Sequence, residues 1–181
     1  VKIKGGFDEA LREVLELLSS DRSFYLLNSV NPYRIEGQKT LAFEVWEQLG
    51  RSVPDAMVLP VGNAGNISAI WKGFKELRDA GLTDSTPRMI GVQAEGAAPL
   101  ARAFEEGLGE LRPVESPQTY ATAIKIGSPV SWRRALMAAR ESHGAIISVG
   151  DDSILEAQRD LARVDGVFVE PASAASLAGY R

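Results

Sequence analysis

The sequence contains no cysteine and a single histidine, His143. The first absence excludes disulfides, cysteine-ligated zinc and a thiol nucleophile. The second leaves no basis for a histidine-rich metal site or a Ser-His-Asp triad, so no metal is expected. With no cysteine and no secretory signal, a cytoplasmic setting is expected. No apolar run approaches the roughly 20 residues that a membrane helix needs. There is no low-complexity tract and no internal repeat. The net charge is −4, without a basic stripe, so neither a membrane nor a nucleic acid is expected as partner. The same sign means that local donors, not the overall field, must attract any phosphorylated ligand.

What is present is ordinary for a globular chain. The 181 residues are 45% hydrophobic and 24% charged, enough for one domain or one domain plus part of another. Apolar runs at 56–59, 89–92 and 145–149 read as buried strands. Ile67, Ile70, Trp71, Phe74 and Leu77 follow helical spacing, as do Leu41, Val45 and Leu49 with Trp46 beside them. Leu11, Val14, Leu15 and Leu18 mark a first helix with Asp8 as its cap. Further helices are expected near 100–104, from Pro129 and Ser131 to Arg140, from Asp151 or Asp152 to Arg163, and from Pro171 onward. Residues 1–4, 24–27 and 167–169 read as short strands, and 121–126 as extended. Alternation of strands and helices predicts an α/β protein with a mainly parallel sheet, which places ligands beyond the carboxyl ends of strands.

Two segments lie at such ends. Gly62, Asn63, Ala64, Gly65 and Asn66 link a strand to a helix. Glycines permit close approach to a ligand, and a helix N-terminus offers free amides and a positive dipole end to phosphate. Asn66 is placed to cap that helix, and Asn63 to donate its amide to an oxyanion. A plain turn would use the same residue types. Upstream, Asn28, Ser29 and Arg34 follow another expected strand in a loop; arginine makes bidentate bonds to phosphate. Lys39 lies in a helical pattern and carries no sign of a Schiff-base role. His143 is expected as a solvated helix-end residue, and Ser173 and Ser176 as small packing residues. Glu36, Glu95 and Glu170 cannot be paired from sequence.

At these residues the chain resembles the threonine synthases, pyridoxal 5′-phosphate enzymes of the tryptophan-synthase-β-like fold (fold type II). Residues 28–40, NSVNPYRIEGQKT, are similar to the family motif NSVNPxRxEGQKT. Residues 59–67, LPVGNAGNI, resemble its cofactor-phosphate loop. Residues 93–100, 121–127 and 170–176 also resemble family segments, so the likeness spans essentially the whole chain.

The resemblance implies a three-layer α/β fold and a cofactor, pyridoxal 5′-phosphate, whose phosphate is held by Gly62, Asn63, Ala64, Gly65 and Asn66. It implies that Asn28, Ser29, Arg34 and Asn63 hold the phosphate of O-phospho-L-homoserine. The implied reaction is γ-elimination of phosphate followed by addition of water at Cβ, giving L-threonine. A homodimer is implied for the complete enzyme. The family's Schiff-base lysine segment (GSFKDRG-like), its STGN-like loop and its TGNGLKDP-like segment have no counterpart in this sequence. The chain is therefore expected to be an internal, incomplete piece of the fold and inactive alone. On this reading residues 1–35 are the tail of a smaller α/β domain, and residues 36–181 are part of the large cofactor-holding domain. Two other readings stay open: another fold type II lyase, such as a threonine dehydratase, or a non-catalytic remnant that binds a phosphorylated ligand.

Overall fold

The apolar runs at 56–59, 89–92 and 145–149 become the three strands of one parallel sheet. A computed structural model describes residues 3–181 and gives β1 (Ala56–Pro60), β2 (Arg88–Ala94) and β3 (Ala145–Val149), in the order β1-β2-β3. Val58 pairs with Ile90, and Ile90 with Ala145. Parallel neighbours require a crossover, and helices supply it. Between β1 and β2 runs α4 (Gly65–Asp79); between β2 and β3 run α5 (Pro99–Glu105) and α6 (Trp132–Glu141). Before the sheet come α1 (Phe7–Ser20), α2 (Pro32–Gln38) and α3 (Thr40–Gln48). After it come α7 (Asp151–Val164) and α8 (Pro171–Tyr180).

Both faces of the sheet are covered. On one side Ile67, Trp71 and Phe74 of α4 pack with Met89 of β2, Leu100 of α5 and Leu136 of α6. On the other, Val92 and Ala94 of β2 pack with Ile154 of α7 and the alanines Ala172, Ala174 and Ala175 of α8. Residue 89 faces one layer and residues 92 and 94 the other, which is the period of two along a pleated strand. The result is the expected three-layer α/β arrangement.

Several expected elements differ. Residues 24–27 are irregular, and Phe24, Tyr25 and Leu27 are exposed. Their β-prone side chains have no neighbouring strand among the described residues. Residues 167–169 are also irregular because α7 takes their backbone groups: Val167 donates its N–H to the Leu161 carbonyl, and the Val169 carbonyl accepts from Gln158 Nε2. Residues 121–126 contain a 3₁₀ turn, Thr122–Ile124, closed by the bond from Ile124 N–H to the Ala121 carbonyl. Of the strand expected at 1–4, Val1 and Lys2 lie outside the described residues, and Ile3 and Lys4 are not in a strand.

The acidic residues expected as caps bond elsewhere. Asp8 and Asp151 both lie inside the first turns of their helices, which follow Gly6 and Gly150. The Asp8 carboxylate instead accepts from the N–H groups of Gly127 at 2.8 Å and Ser128 at 3.2 Å. Asp151 accepts from the Tyr120 N–H at 3.1 Å and from the Thr119 hydroxyl. Among the described residues no helix is long and apolar enough to cross a membrane.

Candidate active site

The site is built at the carboxyl end of β1. The loop from β1 to α4 passes so close to the 121–126 segment that a Cβ on Gly62 would stand 3.0 Å from the Ala123 carbonyl oxygen. A side chain there would crowd that backbone. Ala64 is then held in the left-handed region, φ 66°, although it is buried and carries a Cβ. Such conformations persist only where the surroundings impose them. Here the Ser68 hydroxyl donates to the Ala64 carbonyl at 2.6 Å. The backbone amides of Asn63, Ala64, Gly65 and Asn66 have no hydrogen-bond partner among the described residues. They lie at the N-terminus of a 15-residue helix, the positive end of its dipole.

Asn66 does not stand at the cap position, which belongs to Ala64. Its side chain instead ties the strand end to the helix start: Nδ2 donates to the Pro60 carbonyl and Oδ1 accepts from the Ile67 N–H, each at 2.7 Å. Asn63 is anchored from the opposite side. Its Oδ1 accepts from the Val130 N–H at 2.7 Å and its carbonyl from Ser131 N–H at 3.2 Å. The Nδ2 of Asn63 makes no hydrogen bond among the described residues, so a donor remains beside the loop.

Arg34 lies in a helix, not in the expected loop. Asn31 starts α2: its Oδ1 accepts from the Tyr33 N–H at 2.9 Å, and Pro32 fills the first helical position. The Nδ2 of Asn31 donates to the Leu26 carbonyl at 2.9 Å, which folds residues 26–31 back over the helix start. Asn28 accepts from the Ser29 N–H at 2.8 Å, and Ser29 is left-handed at φ 51°.

These pieces meet. Asn28, Ser29 and Arg34 line one side of a cavity of about 420 Å³, and Gly62, Asn63, Ala64, Gly65 and Asn66 line another. Asn28, Ser29 and Arg34 therefore face the same space as the loop residues 62–66. Gln38, Thr122 and Glu170, which have no role assigned from sequence, also line it, as does Ser173, which is exposed here and not the packing residue expected. The four-residue spacing of Gln38 from Arg34 becomes a signal only once α2 is known to start at Pro32. Among the described lining residues Arg34 is the one cation, Glu170 the one carboxylate, and no lysine is present.

Lys39 is engaged away from the cavity. Its ammonium lies 2.8 Å from Glu36 and 2.7 Å from Glu76, and both carboxylates push its pKa up. A nucleophilic amine needs the opposite shift. Lys72 also bonds Glu36, so this network clamps α2 onto α4. His143 is exposed and left-handed, φ 54°, just beyond the end of α6.

The chain is similar to known proteins over its whole length. A threonine synthase of Methanosarcina acetivorans is 56% identical over 181 residues, covering 100% of this chain and 44% of that protein. The crystal structure of threonine synthase from Escherichia coli aligns over 100% of this chain and 43% of its own, with a TM-score of 0.82 at 22% identity. Threonine deaminase isoform 2 from Solanum lycopersicum aligns over 99% of this chain and 46% of its own, with a TM-score of 0.78 at 26% identity. The chain spans about half the length of the curated relatives it matches. The fold is that of the fold type II enzymes, whose cofactor is pyridoxal phosphate. A family model described as pyridoxal-phosphate dependent enzyme matches residues 1–181, and the chain belongs to that family.

Proposed function

We propose that the chain is part of a threonine synthase, which converts O-phospho-L-homoserine and water to L-threonine and phosphate. One observation carries this reading: two sets of anion-directed donors, one on α2 and the turn before it and one on the β1–α4 loop, face one cavity. A lyase acting on an unphosphorylated amino acid needs one phosphate site, for the cofactor. A phosphate-ester substrate needs two.

The residues present fit the phosphate end of pyridoxal 5′-phosphate. Gly62, Asn63, Ala64, Gly65 and Asn66 offer free amides at a helix N-terminus, in a loop whose first residue has little room for a side chain. When bound, the cofactor serves as an electron sink for the substrate carbons. Asn28, Ser29, Arg34 and the free Asn63 amide hold the substrate phosphate. Arg34 also offsets charge that grows on this group as it departs, which is a transition-state interaction. Residues 1–35 then form the tail of a smaller domain and residues 36–181 part of the larger one. With no lysine on the described lining, residues 1–181 alone do not turn over substrate.

The test uses the full-length protein. Phosphate release from O-phospho-L-homoserine, without release of ammonia from threonine, supports the reading. Arg34→Ala lowers kcat/KM for the phosphate ester by more than about tenfold, since hydrogen bonds to charged groups contribute roughly 1.5–3 kcal/mol. Unchanged kinetics in that variant contradict it.

A further inference from the structure

Gln38 lies one helical turn beyond Arg34 on α2, and both side chains line the cavity. In the orientation that satisfies its hydrogen bonding, the Gln38 amide oxygen accepts from Arg34 Nε at 3.1 Å and also from Nη2. The same amide reaches the loop that crosses the cavity: a Cβ on Gly65 would meet it at 3.8 Å. Gln38 thus stands between the arginine and the helix N-terminus of α4. We infer that Gln38 is a positioning residue, which fixes the Arg34 guanidinium for a phosphate ester and keeps its charge free. This rests on the proposed role of Arg34.

Three physical points carry the inference. An arginine side chain has about 2 kcal/mol of rotamer entropy, and a partner present before binding removes part of that cost from the binding step. A guanidinium has two usable edges. Gln38 occupies the one formed by Nε and Nη2, which leaves the edge formed by Nη1 and Nη2 for paired bonds to phosphate. Finally, the acceptor is neutral. Glutamate would reach equally far, but its charge would form an ion pair with Arg34 and compete with the anion. Among the described residues Arg34 makes no ion pair, whereas neighbouring Glu36 is consumed by Lys39 and Lys72.

The test compares Gln38→Met, Gln38→Glu, Arg34→Ala and the double variant Arg34→Ala with Gln38→Met, all in the full-length protein. The readouts are KM and kcat for O-phospho-L-homoserine, and inhibition by inorganic phosphate. Gln38→Met is expected to raise KM and weaken phosphate inhibition by about three- to tenfold, the worth of an ordinary hydrogen bond, with a smaller change in kcat. Gln38→Glu, which preserves shape, is expected to raise KM further. In the Arg34→Ala background Gln38→Met is expected to add nothing, because its effect passes through the arginine. Additive losses overturn the inference. So does an unchanged KM in both Gln38 variants while Arg34→Ala raises it; the proposed function survives that result. If Arg34→Ala itself changes neither readout, the proposed function falls, and the inference with it. Should Gln38→Met fail to fold, the isosteric Gln38→Glu decides: unchanged phosphate inhibition rejects the inference, and weakened inhibition supports it.

Discussion

Gly73 of α4 lies directly against the backbone of Lys39, so that a Cβ on residue 73 would stand 2.5 Å from the Lys39 carbonyl oxygen and 2.7 Å from Ala42 Cβ. This contact sets how closely the α2–α3 corner, and with it Arg34, approaches the helix whose N-terminus lines the cavity. Gly73→Ala brings two opposing effects. Alanine improves helix propensity by about 0.8–1.0 kcal/mol, while overpacking against fixed backbone costs about 1–3 kcal/mol. The second wins, because a main-chain carbonyl and a Cβ fixed to the main chain cannot swing aside. The variant is expected to lose up to about 2 kcal/mol of stability and to show a raised KM for the phosphate ester. Denaturant unfolding and steady-state kinetics check both outcomes, and a more stable variant would show that the corner yields freely.

The clamp between α2 and α4 has a defined pH range. Lys39 and Lys72 hold the Glu36 carboxyl down at about 2, while Glu36 and Glu76 push Lys39 above its usual 10.5. A lowered acid contributes stability that is complete above its ordinary 4.5 and is lost as pH falls toward about 2. A raised base contributes stability that is complete below 10.5 and is lost as pH rises through the higher value. The clamp is therefore intact at neutral pH and fails at both extremes. Glu36→Gln is expected to melt below the parent at pH 7, and the difference should shrink as pH falls below 4.5. High salt should shrink it too, because these side chains are partly exposed. Melting curves across pH and salt measure both trends, and a difference that grows in acid would contradict the assignment.

Asp8 fastens α1 to the rest of the chain through a partner 119 residues away, the N–H of Gly127. No residue of α1 is buried, so few other contacts hold it. Asp8→Ala is expected to speed amide exchange in α1 by at least about tenfold, the consequence of losing bonds to a charged acceptor. Exchange in α4 should stay unchanged. Equal protection of α1 in parent and variant would show that Asp8 does not hold it.

The fate of Asp8 shows where the sequence stops being readable. Strands β1, β2 and β3 and the long helix α4 were legible, because a run of apolar residues or a 67, 70, 71, 74, 77 stripe states its own burial. A capping acid states only that it seeks N–H groups; whether these are its neighbours or lie across the fold depends on packing. Residues 167–169 have strand-forming side chains, yet α7 captures their hydrogen bonds first. The two anion-directed segments were recognisable from their composition. Their sharing one phosphate pocket was expected too; that a helical face, not a loop, brings Arg34 there was not, because it depends on Asn31 opening α2 early. The same unseen helix start concealed the pairing of Arg34 with Gln38.

Asn63 offers the sharpest separation of anchoring from ligand binding. Its Oδ1 is committed to the Val130 N–H at 2.7 Å, which leaves Nδ2 as the atom available to an anion. Asn63→Asp keeps an acceptor for Val130 and places a second, negatively charged oxygen where the donor stood. Stability should hardly change, whereas affinity for inorganic phosphate should fall by more than about tenfold, because a charge-assisted bond is replaced by repulsion. Asn63→Ala removes the anchor together with the donor, so it should lower both the melting temperature and the affinity. Melting curves and phosphate inhibition of the two variants in the full-length protein distinguish these cases. If Asn63→Asp binds phosphate as tightly as the parent, the free amide serves no anion and Asn63 is only a strut for the loop.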